Sequence, residues 1–360
     1  MESIYERGPD LNSLSWPFNK VCHSRFYVSP LYDLVFLIGA PLIALFLSFL
    51  FFRASSPLLA TKPFGLDPSL TALLIVKVFT QSHIFLVFGR SHLNARIFKE
   101  FPIRFTLVPL FLILLSFLSD SMLILGVVVG GLWDIYHSSL QTFGLSRIYD
   151  HQVGNNPKSG RTLDIYLSHF LYMGAIICGV NLIPLLRNIF SYRNHPTYLN
   201  DAFFLSLEKY GTQIQTAFWM FSIGFLAFYF WSYKNLITSG YKLSIQKLLN
   251  FGLTGCVCFY AWGTFPLPIA LFVVNFFHAW QYFAILWHTD NANMKSLATR
   301  KNSPYVNALI LFLFLAIPFS YGSAVIFNKG LRFLFCISTV FSLMHYWYDG
   351  FIWSVRKNYV

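Results

Sequence analysis

Charged residues are scarce in this sequence of 360 amino acids. They make up 11% of it, whereas a typical soluble domain contains about 25%. Hydrophobic residues, by contrast, account for 56%. So large an apolar fraction leaves too little polar surface for a soluble globular enzyme, and it is typical of a chain that lies within a lipid bilayer.

Thiol chemistry has little support in this sequence. Its five cysteines contain no CxxC pair, so neither a thiolate zinc site nor a disulfide framework is expected. A P-loop and a dinucleotide fingerprint are also missing, and Ser138 and Ser139 lack the triad spacing of a hydrolase. Any catalytic chemistry must therefore come from other side chains.

Nucleic-acid binding is not expected either, although the net charge is +12. Such binding requires basic residues that cluster as a patch. Here the lysines and arginines are instead distributed over the polar segments between apolar runs. That distribution is typical of membrane topology.

Apolar runs long enough to cross a bilayer, roughly 20 residues each, recur along the whole chain. No small-residue cleavage site follows the first run, so it is predicted to be a spanning helix rather than a signal peptide. The pattern predicts an all-α, polytopic membrane protein with about ten transmembrane helices in one bundle. The predicted domain covers 31–355, between an N-terminal tail (1–30) and a short C-terminal tail (356–360). The predicted helices are 31–53, 69–90, 105–119, 121–147, 163–186, 210–233, 246–264, 267–288, 304–325 and 331–355.

The orientation of the helices follows from their basic flanks. With these helices, 18 lysines and arginines lie on the side that contains both termini, and 7 lie on the opposite side. Positive charge favours the cytoplasmic side of a membrane. Both termini are therefore predicted to be cytoplasmic, and we expect a multi-pass protein of a bacterial inner membrane.

Four histidines fall inside predicted helices that run in the same direction. They lie at a similar depth, on the order of 10–16 Å from the cytoplasmic boundary at about 1.5 Å per residue. Ionisable residues within a membrane are costly, so they are candidates for function. These histidines are His83, His137, His278 and His345.

Other polar residues lie three or four positions from these histidines, and therefore on the same helix faces. Asp349 follows His345 by four residues and is predicted to be a direct metal ligand together with the four histidines. Ligating histidines usually donate their second N–H to a carboxylate or amide. Asp134 and Gln141 are expected to orient His137 in this way. The predicted catalytic group around the metal consists of Asp134, Gln141, Gln281 and Tyr282.

Imidazole combined with carboxylate suits iron, zinc, copper or manganese, and we expect non-haem iron. Haem is disfavoured because His137 and His151 lie fourteen residues apart, which spans about 21 Å along one helix. A purely structural interpretation stays open, in which each histidine forms a hydrogen bond between helices.

A second polar layer is predicted nearer the cytoplasm, and its members are His92, Arg147, Asp150 and His288. These residues are expected to line a mouth where a cytoplasmic electron donor or a polar head group docks. A solvated helix end is the alternative interpretation of this layer.

The four segments SHIFLVFGRSH, WDIYHSSLQ, FFHAWQYFAILWH and HYWYDG resemble parts of the integral-membrane histidine-motif non-haem iron oxygenases. That group includes the fatty-acid desaturases and hydroxylases and the Brp/Blh-like carotenoid dioxygenases. The HxxxH and HxxHH boxes of the desaturases are absent here, so the Brp/Blh-like proteins, with isolated intramembrane histidines, are the nearer analogy. The resemblance implies an oxygenase or related oxidoreductase that acts on a lipophilic substrate.

A non-enzymatic alternative uses the same residues. A transporter or a haem- or metal-binding membrane protein would need polar residues that continue across the whole membrane. The outward halves of the histidine-bearing helices are instead almost wholly apolar, as in PIALFVV and LRFLFCISTVF. This pattern favours the enzyme. The sequence leaves the substrate and the oligomeric state open.

Overall fold

A computed structural model describes residues 22–52, 79, 82–84, 86–88, 90–92, 94–190, 201–297 and 332–352. Helices dominate these residues, and the two strands among them contain two residues each, so the prediction of an all-α fold is confirmed. The chain divides into two compact units. Unit 1 consists of Met1–Leu47 and Ile135–His278, and unit 2 of Ser48–Asp134 and Ala279–Val360.

Eleven helical elements can be numbered in the described part of the chain. In order they are α1 (Pro30–Ile38), α2 (Ala40–Phe52), α3 (Ala95–Glu100), α4 (Pro102–Leu118), α5 (Asp120–Gln152), α6 (Arg161–Cys178), α7 (Leu182–Phe190), α8 (Asp201–Thr238), α9 (Ile245–Thr264), α10 (Leu267–Leu297) and α11 (Arg332–Ile352). Strand β1 (Cys22–His23) pairs in parallel with β2 (Leu243–Ser244) within unit 1. The described residues between 79 and 92 are helical as well.

Most predicted helices are present, with ends set by local chemistry. Pro102 opens α4, where its missing N–H costs no hydrogen bond. The hydroxyl of Ser244 accepts from the backbone N–H of Lys247 and caps α9. Only Phe265 and Pro266 separate α9 from α10, in agreement with the predicted bounds 246–264 and 267–288. The predicted helix 304–325 and most of 69–90 lie outside the described residues.

Two predicted helices are interrupted. The predicted helix 31–53 forms α1 and α2, which meet at an angle of 57°. At the junction the N–H of Gly39 bonds to the carbonyl of Leu34, five residues earlier, and a Cβ at Gly39 would lie 2.2 Å from that oxygen. The predicted helix 163–186 contains a π-helical stretch at Phe170–Gly174 and ends at Cys178.

Close helix packing holds unit 1 together. A Cβ at Gly255 of α9 would lie 2.7 Å from the side chain of Leu171 in α6, so glycine permits the two helices to approach. Beyond the end of α6, the amide of Asn181 donates to the carbonyls of Trp262 and Phe265. These bonds satisfy carbonyls at the end of α9 that have no partner within the helix.

Unit 2 has its own apolar core, in which α4 packs against α11. The hydroxyl of Tyr348 on α11 donates to the backbone carbonyl of Arg104 on α4 at 3.1 Å. The buried members of this core are Val87, Ile97, Phe105, Val340, Met344, Tyr348 and Ile352. The core therefore fixes α11 along the half that carries His345.

Three helices in the described part of the chain are long and apolar enough to cross a membrane, namely α5, α8 and α10. The bent pair of α1 and α2 would make a fourth if it forms one broken span. This is fewer than the ten spans expected. At 17 residues, α4 is apolar but short, and α6 is interrupted as described above.

Candidate metal centre

Two predicted metal ligands lie together in unit 2. The rings of His83 and His345 have centroids 4.8 Å apart and meet nearly edge to face, and candidate ligand atoms on the two rings lie within 4.8 Å of one another. Both side chains are buried, at 2% and 0% exposure. The ring of Tyr282 on α10 lies 5.8 Å from that of His83 and 5.4 Å from that of His345.

The third predicted ligand in unit 2, Asp349, lies beside His345. One of its oxygens lies 3.8 Å from Nε2 of His345, which is too long for a hydrogen bond. The other oxygen accepts from the hydroxyl of Tyr282 at 3.4 Å. Ligands about 2.0–2.2 Å from one ion lie about 3–3.5 Å from each other. A small movement would therefore place His345 and Asp349 at ligand spacing.

The local sequence explains this placement. His345 and Asp349 are four residues apart on α11, so both side chains project from one face. Tyr282 packs with Leu86 and Leu286 in a buried apolar cluster, which fixes its ring. Tyr282, His345 and Asp349 therefore all lie on helices rather than loops.

Unit 1 contains the other two predicted histidine ligands. The ring centroids of His137 on α5 and His278 on α10 are 5.0 Å apart, and both side chains are buried. The amide of Gln141 donates to the backbone carbonyl of His278 at 3.0 Å, so it ties α5 to α10 beside the pair. The predicted role of Gln141 in orienting the ring of His137 stays a prediction.

The remaining predicted catalytic residues have mixed environments. Asp134 accepts a hydrogen bond from the hydroxyl of Tyr346, a partner that the sequence analysis missed. Gln281 is completely buried in α10. That Asp134 orients His137, and that Gln281 has a catalytic role, stay predictions.

His92 and His288, two residues of the predicted cytoplasmic layer, differ in exposure. His288 is exposed on α10, whereas His92 is half-buried. Nε2 of His92 lies 3.0 Å from the carbonyl of Phe105, and its Nδ1 lies 2.8 Å from the hydroxyl of Ser91. A carbonyl can only accept, so Nε2 carries the proton. Burial lowers the pKa of His92, which favours this neutral ring.

The other two residues of that layer, Arg147 and Asp150, belong to a buried ionic network in unit 1. Nζ of Lys247 lies 2.8 Å from Asp150 and 2.6 Å from Asp164, and Arg147 bonds to the same two carboxylates. Lys247 and both acids are at most 1% exposed. Two positive and two negative charges balance, as burial of charge requires. We name Arg147, Asp150, Asp164 and Lys247 the ionic network.

Three tyrosines complete the ionic network. Tyr229 and Tyr233 on α8 donate to one oxygen of Asp164, and Tyr241 donates to Asp150. Burial, together with the charge of Asp150, raises the pKa of Tyr241, so its hydroxyl stays protonated and remains a donor.

The sequence does not predict this network, because the partners of Lys247 lie far from it in the chain. Asp150 and Asp164 are both buried, although they lie near the ends of the predicted helices. The four-residue spacing of Tyr229 and Tyr233 near a polar helix end was the one available signal.

Comparison with known proteins adds no assignment, since no family model, no curated protein and no solved structure matches this chain.

Proposed function

We propose that this chain is an integral-membrane, metal-dependent oxygenase or related oxidoreductase that acts on a lipophilic substrate. In this proposal His83, His345 and Asp349 of unit 2 bind the metal. The observation that carries it is the burial of two imidazoles beside a carboxylate that lies 3.8 Å from one of them. Two histidines and one carboxylate with open positions are the ligand set of non-haem iron oxygenases.

Each residue has a defined part in this proposal. His83 and His345 supply neutral nitrogen ligands, and Asp349 supplies the negative charge that a cation needs in a buried site. The hydroxyl of Tyr282 bonds to the second oxygen of Asp349 and holds the carboxylate in orientation. Non-haem iron in such a site would activate oxygen, although zinc fits the same ligands.

His137 and His278 were predicted to bind this metal as well. Their close approach within unit 1 supports a role as a second pair of nitrogen ligands. The assignment of all four histidines and Asp349 to one ion stays a prediction.

The substrate in this proposal is lipophilic and enters from the cytoplasmic half of the bilayer. The apolar surroundings of Tyr282, namely Leu86, Leu286 and Phe283, support a site that excludes water. Oxygen is the oxidant, and in a hydroxylation a cytoplasmic electron donor would supply the electrons. The exposed His288 marks a part of α10 where such a donor would dock.

We also propose a multi-pass topology with both termini in the cytoplasm and a location in a bacterial inner membrane. The apolar helices α5, α8 and α10 support a membrane location. Labelling of single cysteines introduced at exposed positions, such as Lys99 and Lys209, tests on which side of the membrane each one lies.

Elemental analysis tests the metal centre directly. The protein is purified without chelator, and its iron and zinc are counted per chain in the native form and in His83→Ala and His345→Ala. We expect both variants to lose most of the metal. The matched control is His288→Ala, which removes an exposed imidazole from the same unit and should leave the metal in place.

Oxygen uptake then tests the reaction. Iron-loaded native protein should consume oxygen when a membrane lipid extract and a reductant are added, and His345→Ala should not. Native protein that contains no transition metal, or a His345→Ala variant with full occupancy, would contradict the metal centre. If the protein is fully loaded with iron but consumes no oxygen with any lipid extract, the non-enzymatic alternative is favoured.

A further inference from the structure

An open cleft of about 390 Å³ lies in unit 1 between the start of α6 and the end of α8. Its volume falls within the range of ligand sites, roughly 300–1,000 Å³. One wall contains Lys158, Arg161 and Thr162, and the other contains Ser232, Asn235 and Leu236. We name this space the basic cleft.

The basic cleft carries positive charge without a compensating acid in its lining. Lys158 and Arg161 are exposed, and the ion pairs found among the described residues of unit 1 include neither of them. The nearest acid in the sequence, Asp164, is bound by Lys247 and Arg147 in the ionic network. The network thus neutralises that acid internally and leaves the two cations available for an anion.

Hydrogen bonds from Arg147 hold the loop that forms the cleft. Arg147 donates to the backbone carbonyls of Pro157 and Ser159, both at 3.0 Å. Gly160 has a φ of +67°, and a Cβ there would lie 2.6 Å from the hydroxyl of Tyr233. The guanidinium of Arg161 lies 5.6 Å from the ring centre of Phe143. The backbone that carries Lys158 and Arg161 is therefore held in place, and the guanidinium of Arg161 is positioned before any ligand binds.

The cleft also lies at the level expected for lipid head groups. Phe228, Phe230 and Trp231 are exposed on α8 just before the cleft begins, which is typical of a surface that faces lipid. The predicted span 210–233 ends where Ser232 and Asn235 line the cleft. The distribution of lysines and arginines predicts that this end of α8 lies on the cytoplasmic side, where anionic lipids attract basic residues.

We propose that the basic cleft binds the phosphate of an anionic phospholipid. Lys158 and Arg161 contact the phosphate oxygens, and Arg161 does so through its planar fork of donors. Ser232 and Asn235 donate hydrogen bonds to the head group, while the acyl chains follow the apolar surface of α8. This inference is independent of the metal centre, and it rests on the proposed topology, in which α8 spans a membrane and ends on the cytoplasmic side.

Lipid binding to the full-length protein in detergent tests the proposal by native mass spectrometry. Phosphatidylglycerol and phosphatidylcholine are titrated separately, and the affinity of the first adduct is compared. We expect phosphatidylglycerol to bind more tightly than phosphatidylcholine. The double variant Lys158→Gln/Arg161→Gln should weaken phosphatidylglycerol binding on the order of tenfold or more, because each basic residue contributes to the attraction.

The matched control, Lys99→Gln/Lys209→Gln, removes two exposed charges elsewhere and should bind phosphatidylglycerol as the native protein does. Equal affinity for the two lipids, or native affinity in the cleft variant, would overturn the proposal. So would displacement of the lipid by millimolar inorganic phosphate, because the cleft would then be a site for a soluble anion.

A second measurement does not depend on the folding of any variant. A photoactivatable phosphatidylglycerol is crosslinked to the native protein, and the labelled peptides are mapped. We expect crosslinks within residues 158–163 and 232–239. Labelling that is confined to other segments would overturn the assignment to the basic cleft.

Discussion

Asp349 and His345 lie on one face of α11 with an oxygen of the first 3.8 Å from Nε2 of the second. Both side chains are nearly inaccessible to solvent, at 8% and 0% exposure. Without a bound cation, this carboxylate would bear a charge in an apolar environment. The proposed metal centre uses this relationship, because a cation between the two groups would compensate the charge of the carboxylate.

Asp349→Asn tests this proposed role of the carboxylate. An amide oxygen can still accept from Tyr282, so the fold should survive. Its lost negative charge weakens the binding of a cation in a buried site, and metal occupancy should fall together with activity. Occupancy is measured by elemental analysis, and the fold by elution volume and circular dichroism.

Asp120→Asn is the matched control for Asp349→Asn, since it changes a second acid of unit 2, which is exposed and pairs with Arg332 at the start of α11. We expect it to keep its metal. Full occupancy in Asp349→Asn would show that this carboxylate is not a ligand.

The histidine pair of unit 1 gives a second prediction. If His137 and His278 bind metal, as their sequence context predicts, then His137→Ala should lower the metal content of the purified protein. His169→Ala is the control, because His169 is only partly buried and stacks on Tyr136 within the same unit. Equal occupancy in both variants would instead assign His137 a packing role between α5 and α10.

Sequence patterns predicted the fold class because the length of an apolar run and the position of a proline determine where a helix forms and ends. The long apolar runs predicted α5 and α10, and the turn between α9 and α10 coincides with two prolines after Thr264. The bend at Gly39 and the π-helical stretch at Phe170–Gly174 were missed. Such features depend on how a helix packs against its neighbours, which one sequence does not reveal.

The candidate site could be predicted in part for the same reason. Residues that share a helix face, such as His345 and Asp349, follow from spacing alone. The burial of Lys247 does not, because its partners Asp150 and Asp164 lie 97 and 83 positions away in the chain. A lysine at a helix end looks like any other cytoplasmic lysine until those partners are known.

The ionic network gives the third prediction. Lys247→Met removes one cation and leaves Asp150 and Asp164 with a net negative charge in a buried position. Loss of one partner of a buried ion pair costs about 3–5 kcal/mol. We expect a correspondingly lower midpoint of thermal unfolding in detergent, measured by tyrosine and tryptophan fluorescence.

Lys242→Met is the matched control for Lys247→Met, because Lys242 is exposed five positions earlier. Its midpoint should remain close to that of the native protein. Similar midpoints for the two variants would mean that the ionic network contributes little to stability.

The fourth prediction concerns the effect of pH on His92. Burial lowers the pKa of this residue below its ordinary value of 6.5, because it disfavours the charged ring, and the hydrogen bond to the carbonyl of Phe105 opposes this shift only in part. As the pH falls below about 6.5, the unfolded chain therefore binds a proton more readily than the folded protein, and the folded protein loses stability. This contribution is present above the pKa of the unfolded chain and is lost as the pH falls toward the pKa of the folded protein.

In His92→Gln, whose amide can still donate to Phe105, the midpoint of unfolding should fall less between pH 7.5 and pH 5. His288→Gln, at an exposed position, should keep the native dependence, and a native dependence in His92→Gln as well would refute this assignment.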